Sequence, residues 1–205
     1  TTYPHTWIGV LYEDRSGTLW GGSPGGGLKK FDKLSGTFIN YQQEPDNLNS
    51  LIDYIVIIHE DRHGNFWVST MKGIYRFDRE KAEFTLLKPS GNRPEGFEEI
   101  LILSITEDED GTLWFGSNLG LLKYDPVENT LVQYNEPAWI LEDPMGDDET
   151  FWLPTDNSMV LFNKNTGKTI SYPFEFARSD GKSNPITLIA YDRIIDRAGR
   201  LWMAT

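Results

Sequence analysis

The 205 residues suffice for one domain with a sizeable hydrophobic core, or for two small domains. Acidic residues outnumber basic ones by 31 to 19, and the net charge of -12 repels a phosphate backbone, so we expect no nucleic-acid partner. The chain has no cysteine, which excludes disulfides, thiol catalysis and cysteine metal sites, and no apolar stretch approaches the roughly 18 residues of a membrane span.

One short phrase recurs along the chain: an acidic pair, a glycine, and then an apolar residue followed by tryptophan. Its copies are Glu13–Trp20, Glu60–Trp67, Glu107–Trp114, Glu142–Trp152 with an insertion, and Asp196–Trp202. Spacing inside the copies is nearly constant, whereas the segments between them vary. Self-similarity of this kind indicates a repeat architecture in which each unit is one supersecondary piece.

Each unit is predicted to contain four short strands, a to d. Strand d is typified by Phe38–Tyr41, strand a by Ile55–Ile58, strand b by Phe66–Thr70 and strand c by Gly73–Phe77. Continuous apolar runs such as strand a suit strands that are buried on both faces. Turn residues separate the strands, and no stretch has the apolar spacing of a helix.

Four antiparallel strands in a unit of this length predict an all-β fold made of β-propeller blades. The blades are placed at about 4–41, 51–87, 99–134, 137–172 and, in part, 186–205, within one segment that covers 1–205. About four and a half blades leave exposed sheet edges, so we expect the segment to belong to a larger propeller. The start at Thr1, without a signal peptide, suggests that a targeting sequence lies elsewhere.

The motifs EDRSGTLWGGS (13–23), EDRHGNFWVSTMKGIYRFD (60–78) and EDEDGTLWFGSNLGLLKYD (107–125) resemble the two-component-regulator propeller repeat. The fourth and fifth copies depart from it, with Ser158 in place of a glycine and Ile195 in place of a glutamate, so distorted blades are expected there. The resemblance implies a periplasmic sensor domain of a hybrid two-component or histidine kinase system. It also implies propellers of seven blades, often in tandem, many of which are associated with sensing carbohydrate breakdown products.

Several residue patterns could carry chemistry, but each has a structural alternative. The repeat tryptophans could stack on sugars, yet their recurrence favours packing between blades. The Glu-Asp pairs resemble glycosidase carboxylates, but one active site needs one pair, so turn hydrogen bonding is favoured. The acidic residues Asp143, Asp147, Asp148 and Glu149 could hold Ca²⁺ or could form a solvated surface loop. We expect no metal, no cofactor and no catalytic residue, and therefore no enzyme activity in this segment.

Binding is expected instead on the connectors, because variable loops on a rigid scaffold often carry function. In a propeller the d–a and b–c loops share one face around the central channel. The predicted ligand-binding residues lie in these loops or beside strand a: Trp7, Tyr54, Met71, Arg93, Asn118, Trp139, Asn157 and Arg178. The connector 88–99 also offers Phe97, and the connector 173–185 offers Asn184. Amides, arginine and aromatic rings suit a neutral or acidic sugar.

Three functions fit these features. The first is a ligand-sensing extracytoplasmic domain, whose partners would be a small molecule or oligosaccharide, the remaining propeller blades and downstream signalling domains, with a homodimer also open. The second is a propeller enzyme, such as a lyase acting on a glycan or a streptogramin-like substrate. The third is a protein-interaction scaffold. The repeat resemblance and the lack of a catalytic motif favour the sensor, located in the periplasm as part of a membrane-anchored protein.

Overall fold

The computed structural model describes residues 8–42, 54–91, 93–136, 139–142, 149–155 and 157–173, and the backbone of four further short strands. For those four strands and for Leu141–Glu142, only the backbone is described. Within this part of the chain the elements are β-strands, apart from a one-turn 3-10 helix at Phe97–Glu99. No helix among the described residues has the length and apolarity needed to cross a membrane.

Four antiparallel sheets of four strands each follow chain order, so each sheet is one continuous meander. Blade 1 contains β1 Val10–Glu13, β2 Leu19–Ser23, β3 Gly27–Asp32 and β4 Thr37–Tyr41. Blade 2 contains β5 Ile55–Glu60, β6 Phe66–Thr70, β7 Gly73–Asp78 and β8 Glu83–Leu86. Blade 3 contains β9 Ile102–Glu107, β10 Leu113–Ser117, β11 Gly120–Asp125 and β12 Thr130–Tyr134. Blade 4 contains β13 Leu141–Glu142, β14 Thr150–Pro154, β15 Ser158–Asn163 and β16 Thr169–Pro173.

Two further hairpins follow blade 4. The strands β17 Glu175–Ala177 and β18 Ser183–Pro185 pair with each other, as do β19 Asp192–Ile195 and β20 Leu201–Ala204. The second hairpin supplies strands a and b of a fifth unit, so the predicted all-β propeller of about four and a half blades is confirmed. The first hairpin lies within the connector 173–185, for which no strands were predicted.

Trp20, Trp67 and Trp114 fill the space between neighbouring blades, as predicted. Trp152 is half-buried and packs on Tyr172 of its own blade, and the side chain of Trp202 lies outside the described residues. Trp20 in blade 1 is buried, and its ring centroid lies 4.9 Å from that of Phe66 and 5.8 Å from that of Phe77, both in blade 2. Trp114 makes the same kind of contact with Phe151, at 5.4 Å, in blade 4. A single blade cannot bury both of its faces, so this aromatic packing builds one core cluster between each pair of neighbouring blades.

The innermost strands converge, since β1 contacts β5 and β5 contacts β9. The b–c turns lie at the end of the blade where strand a begins. Met71, just after β6, donates its backbone N–H to the carbonyl of Tyr54, just before β5. Asn118 makes the equivalent bond to Leu101 in blade 3. The b–c turns and the d–a connectors therefore share one end of the blades.

The close approach of blades 1 and 2 depends on Gly22, because a Cβ atom there would lie 2.5 Å from the Cβ of Ile55. We expect Gly22→Ala to lower the free energy of unfolding by about 1–3 kcal/mol through overpacking. The matched control is Ser69→Ala at the same position of blade 2, where the hydroxyl donates to the carbonyl of Ile102 at 3.2 Å. Its loss should be about 1 kcal/mol or less. Equal losses in chemical denaturation would contradict the steric explanation.

Candidate functional site

The aspartate in each of the first three repeat copies accepts a hydrogen bond from the tryptophan of the same copy. The indole nitrogen to carboxylate oxygen distances are 2.8, 2.9 and 2.6 Å in the pairs Asp14–Trp20, Asp61–Trp67 and Asp108–Trp114. The same aspartates shape the a–b turns; Asp14 also accepts the backbone N–H groups of Ser16 and Thr18. The predicted turn hydrogen bonding is confirmed. The bond to the indole was not predicted, although the constant Asp-to-Trp spacing was the feature that could have indicated it.

In blades 2 and 3, the glutamate that precedes the aspartate bonds to the preceding blade. Glu60 in blade 2 accepts the backbone N–H of Arg15 in blade 1 at 2.8 Å. Glu107 in blade 3 accepts the backbone N–H of Arg62 in blade 2, with both carboxylate oxygens within 3.0 Å. In these two copies both carboxylates are therefore engaged in holding the fold together.

Arg79 links the carboxylates across the interface between blades 1 and 2. Its guanidinium lies 3.1 Å from an Asp14 oxygen and 2.7 Å from a Glu60 oxygen, and it stacks over the ring of Phe66. Burial by itself raises the pKa of Asp14, but hydrogen bonds from the Ser16 hydroxyl, the Trp20 indole and backbone N–H groups outweigh burial and lower the pKa to about 2. At neutral pH, Asp14 is therefore ionised and unsuited to donate a proton.

The low pKa of Asp14 predicts a specific loss of stability in acid. The carboxylate is favoured in the folded state, so its contribution is present above the unfolded pKa of 3.8 and is lost as the pH falls toward about 2. We expect the gap in unfolding free energy between the wild type and Asp14→Asn to narrow by about 2 kcal/mol over this range. Denaturant titrations at a series of pH values test this, and a gap independent of pH would contradict it.

The opposite end of the blades carries the candidate site, beside the connector between blades 2 and 3. The first part of this connector is anchored to blade 3, since Ser90 donates its backbone N–H to the carbonyl of Asn129 at 2.7 Å. The second part is anchored by Phe97, which is 2% exposed and packs in the core cluster that contains Trp67 and Ile74. The sequence indicates Phe97 only as one of the residues that this connector offers; its burial makes it an anchor of the connector.

Two exposed ion pairs lie where this connector meets the b–c turn of blade 2. Lys72 Nζ is 2.6 Å from Glu99 Oε1, and Arg93 is 2.9 Å from Glu98. The hydrogen bond from Lys72 lowers the pKa of Glu99. The neighbouring Met71 is 37% exposed. We call the surface formed by Met71, Lys72, Arg93, Glu98 and Glu99 the turn face.

Of the predicted ligand-binding residues that the structure describes, Tyr54, Met71, Asn118 and Asn157 lie in or beside the b–c turns, and they do not form one cluster. Tyr54 is half-buried and bonded through its carbonyl to Met71. The side-chain oxygen of Asn118 accepts the backbone N–H of Leu101 at 2.9 Å, which ties it to strand a. Asn157 is exposed in the b–c turn of blade 4 and interacts with Thr155. These amides thus shape their own turns.

The remaining predicted residues are spread along the connectors. Arg93 belongs to the turn face. Trp139 is 42% exposed. Its neighbour Ile140 is fixed to blade 3, because the backbone N–H of Ile140 donates to Ser104 Oγ in strand a. Trp7 and Arg178 lie outside the described residues. Sequence reasoning missed Lys72, Glu98 and Glu99, although Lys72 directly follows the predicted Met71 in the same turn.

Of the acidic insertion, the structure describes Glu149 alone, whose carbonyl accepts the backbone N–H of Lys164; Asp143, Asp147 and Asp148 lie outside the described residues. Elsewhere in the described part, no three His, Asp or Glu side chains stand close enough together to hold a metal ion.

Residues 96–119 match the family model described as two component regulator propeller. This stretch is a two-component-regulator propeller repeat. It runs from the 3-10 helix through β9 and β10, and so includes the anchor Phe97 and the inter-blade Trp114. The curated proteins contain no match to the chain.

Solved structures share the fold. Two are of the extracellular domain of BT4673 from B. thetaiotaomicron, described once as a hybrid two component system and once as a one component system. Their TM-scores are 0.71 and 0.70 at 21% and 19% identity, and the match covers 98% and 100% of this chain. An auxiliary nutrient binding protein from Bacteroides thetaiotaomicron matches 96% of this chain and 56% of its own, with a TM-score of 0.59 and 11% identity. The chain spans only 28% and 27% of the length of the two BT4673 structures.

Proposed function

We propose that this chain is part of the ligand-sensing extracytoplasmic domain of a two-component signalling receptor, and that it recognises a carbohydrate breakdown product. Two findings support the receptor class and a periplasmic location. One is the repeat in 96–119, and the other is the likeness to the extracellular domain of BT4673, described in one of its structures as a hybrid two component system. In this proposal the segment binds its ligand without transforming it. The further blades of a larger, seven-bladed propeller and the downstream signalling domains are its partners.

The observation that carries the proposal is the turn face. Phe97 fixes the connector in the core, so the exposed side chains beside it are held by a rigid scaffold. The pairs Lys72–Glu99 and Arg93–Glu98 offer charged donors and acceptors to hydroxyl groups, and Met71 offers an adaptable apolar surface. A ligand that binds there more tightly in one arrangement of the neighbouring domains would shift the receptor toward that arrangement. The size of the shift is set by the difference in affinity between the two arrangements.

The test uses the intact protein, a panel of oligosaccharides and isothermal titration. A panel member should bind, and Lys72→Ala should weaken its binding by about tenfold, the loss of one charged hydrogen bond. The matched control is Lys81→Ala, another exposed lysine paired with a carboxylate, Asp78 at 3.5 Å, but at the other end of blade 2. Its affinity should equal that of the wild type.

The same titration separates the alternatives. Cleaved products in the calorimeter cell, detected by chromatography, would favour a lyase over a sensor. Equal weakening by Lys72→Ala and Lys81→Ala would place the ligand away from the turn face. No binding by any oligosaccharide, together with a protein partner that co-purifies in a stable complex, would favour the scaffold and overturn the proposal.

A further inference from the structure

The hydroxyl residue at the end of strand b has the same partner in three blades and none in blade 1. In blades 2, 3 and 4 this hydroxyl donates to the carbonyl of the first residue of strand c: Thr70 to Gly73 at 3.2 Å, Ser117 to Gly120 at 2.7 Å and Thr155 to Ser158 at 3.0 Å. Ser23 of blade 1 is fully buried, and its Oγ has no hydrogen-bond partner. The b–c turn of blade 1 is one residue longer, between Ser23 and Gly27, which removes the usual acceptor. A buried polar group in this state costs free energy and requires an explanation.

The third residue of strand c is also exceptional in blade 1. Blades 2, 3 and 4 have buried Tyr75, Leu122 and Val160 at this position. Blade 1 has Lys29, which is only 8% exposed. Its ammonium donates to Asn40 Oδ1 at 2.9 Å and, weakly, to the carbonyl of Gly26 at 3.4 Å. Neither acceptor is charged, and burial lowers the pKa of Lys29.

Strand register puts the two unusual groups on one face of the blade. Gly21 pairs with Lys29 and Ser23 pairs with Gly27, so Ser23 and Lys29 are diagonal neighbours with their side chains on the same side. Ile8 packs on this face beside the Gly21–Lys29 pair, since a Cβ on Gly21 would lie 3.1 Å from Ile8 Cγ2. Ser23 lies at the b–c turn of blade 1, which is at the same end of the blades as the turn face beside blade 2.

We propose that Lys29 and Ser23 form a subsite for the carboxylate of an acidic sugar, which deepens and rests on the proposed function above. A carboxylate accepts hydrogen bonds from both an ammonium and a hydroxyl group, and it is the partner that would neutralise a buried lysine. The sugar carboxylate enters past Asn40, which is exposed on the outer strand, and replaces its side-chain oxygen at the ammonium. Among the described residues the acceptors of Lys29 are neutral, and its charge is then a binding feature of the subsite.

The test compares D-glucuronate with its neutral counterpart D-glucose on the intact protein by titration calorimetry. Glucuronate should bind, and Lys29→Met should weaken it by about thirtyfold, while Ser23→Ala weakens it by about threefold. The matched control is Lys30→Met, since Lys30 is the next residue of the same strand and its ammonium lies 5.7 Å from the Trp20 ring on the opposite face. Lys30→Met should leave glucuronate affinity unchanged. Lys29→Met removes a buried charge and is expected to fold.

The outcomes separate this inference from the proposed function. If neutral oligosaccharides bind and glucuronate does not, or if Lys29→Met and Lys30→Met weaken glucuronate equally, the carboxylate subsite is wrong and the sensor function stands. If glucuronate fails to bind and Lys29→Met lowers the melting temperature without ligand, Lys29 serves the fold through its bonds to Asn40 and Gly26, which also overturns the subsite. If no carbohydrate of either kind binds, both proposals fail.

Discussion

Replacing Asp61 by alanine is expected to lower the free energy of unfolding by about 3 kcal/mol or more. The Asp61 carboxylate is fully buried and accepts four hydrogen bonds: from the backbone N–H of His63 and of Asn65, from the Asn65 side chain and from the Trp67 indole, all within 3.0 Å. Alanine leaves these donors unpaired where water has little access, and an unpaired buried donor costs more than the bond itself contributed. The Trp67 ring would also lose the contact that fixes its orientation between blades 2 and 3.

The control for Asp61→Ala is Asp78→Ala in the same blade. Asp78 accepts the backbone N–H groups of Glu80 and Lys81 in a c–d turn, but its side chain is 40% exposed, so water can replace the lost acceptor. Denaturant unfolding followed by tryptophan fluorescence measures both variants. Asp78→Ala should cause a clearly smaller loss, and equal losses would mean that the aspartate acts only as a turn residue and not as a buried anchor for the tryptophan.

The fold could be predicted because its determinants repeat in sequence. Trp20, Trp67 and Trp114 stand at equivalent places in units of constant internal spacing, and each fills the same gap between blades. Because each blade needs the same contact, the same residue type recurs once per blade, and this period can be detected in a single sequence. The strand order follows from the short turns, which leave each strand to pair with the next one along the chain.

The sequence predicted only the region of the candidate site and not its residues, because each residue that shapes the site occurs once in the chain and belongs to no repeated pattern. Phe97 is apolar in a polar connector, and nothing local distinguishes an apolar residue that packs into a core from one that is offered to a ligand. The pairing of Lys72 with Glu99 depends on how the connector crosses the blade, which is set by the burial of Phe97. The hairpin Glu175–Ala177 with Ser183–Pro185 was missed for a related reason: its strands are too short to show alternation.

The two ends of the blades therefore differ in chemistry. At the a–b end, the repeated carboxylates Asp14 and Glu60 are bound to donors of the fold and to Arg79. At the b–c end, residues that differ from blade to blade, such as Lys29 and Lys72, replace the repeated pattern. A repeated residue satisfies a requirement that every blade has, whereas a residue present in one blade is available for a role that the whole molecule needs once.

Replacing Phe97 by alanine is expected to lower the stability of the fold and also to release the connector that carries the turn face. Phe97 is 2% exposed in the core between blades 2 and 3, so its removal should lower the free energy of unfolding by about 3–4 kcal/mol. Because Phe97 anchors the connector, hydrogen exchange of the backbone N–H groups in 97–100 should also rise sharply, while exchange in β10 changes far less. Lys72 would lose its fixed partner Glu99, and the affinity of any turn-face ligand should fall with it.

The control for Phe97→Ala is Phe38→Ala on the outer strand of blade 1, where the ring is already 38% exposed. It removes the same number of carbon atoms but leaves a smaller cavity, so its loss should be about 1–2 kcal/mol with no change in exchange at 97–100. Unfolding titrations and exchange detected by mass spectrometry on the intact protein measure both effects. If Phe97→Ala destabilised the protein while exchange in 97–100 stayed slow, Phe97 would belong to the core without holding the connector, and the rigid turn face would lose its physical basis.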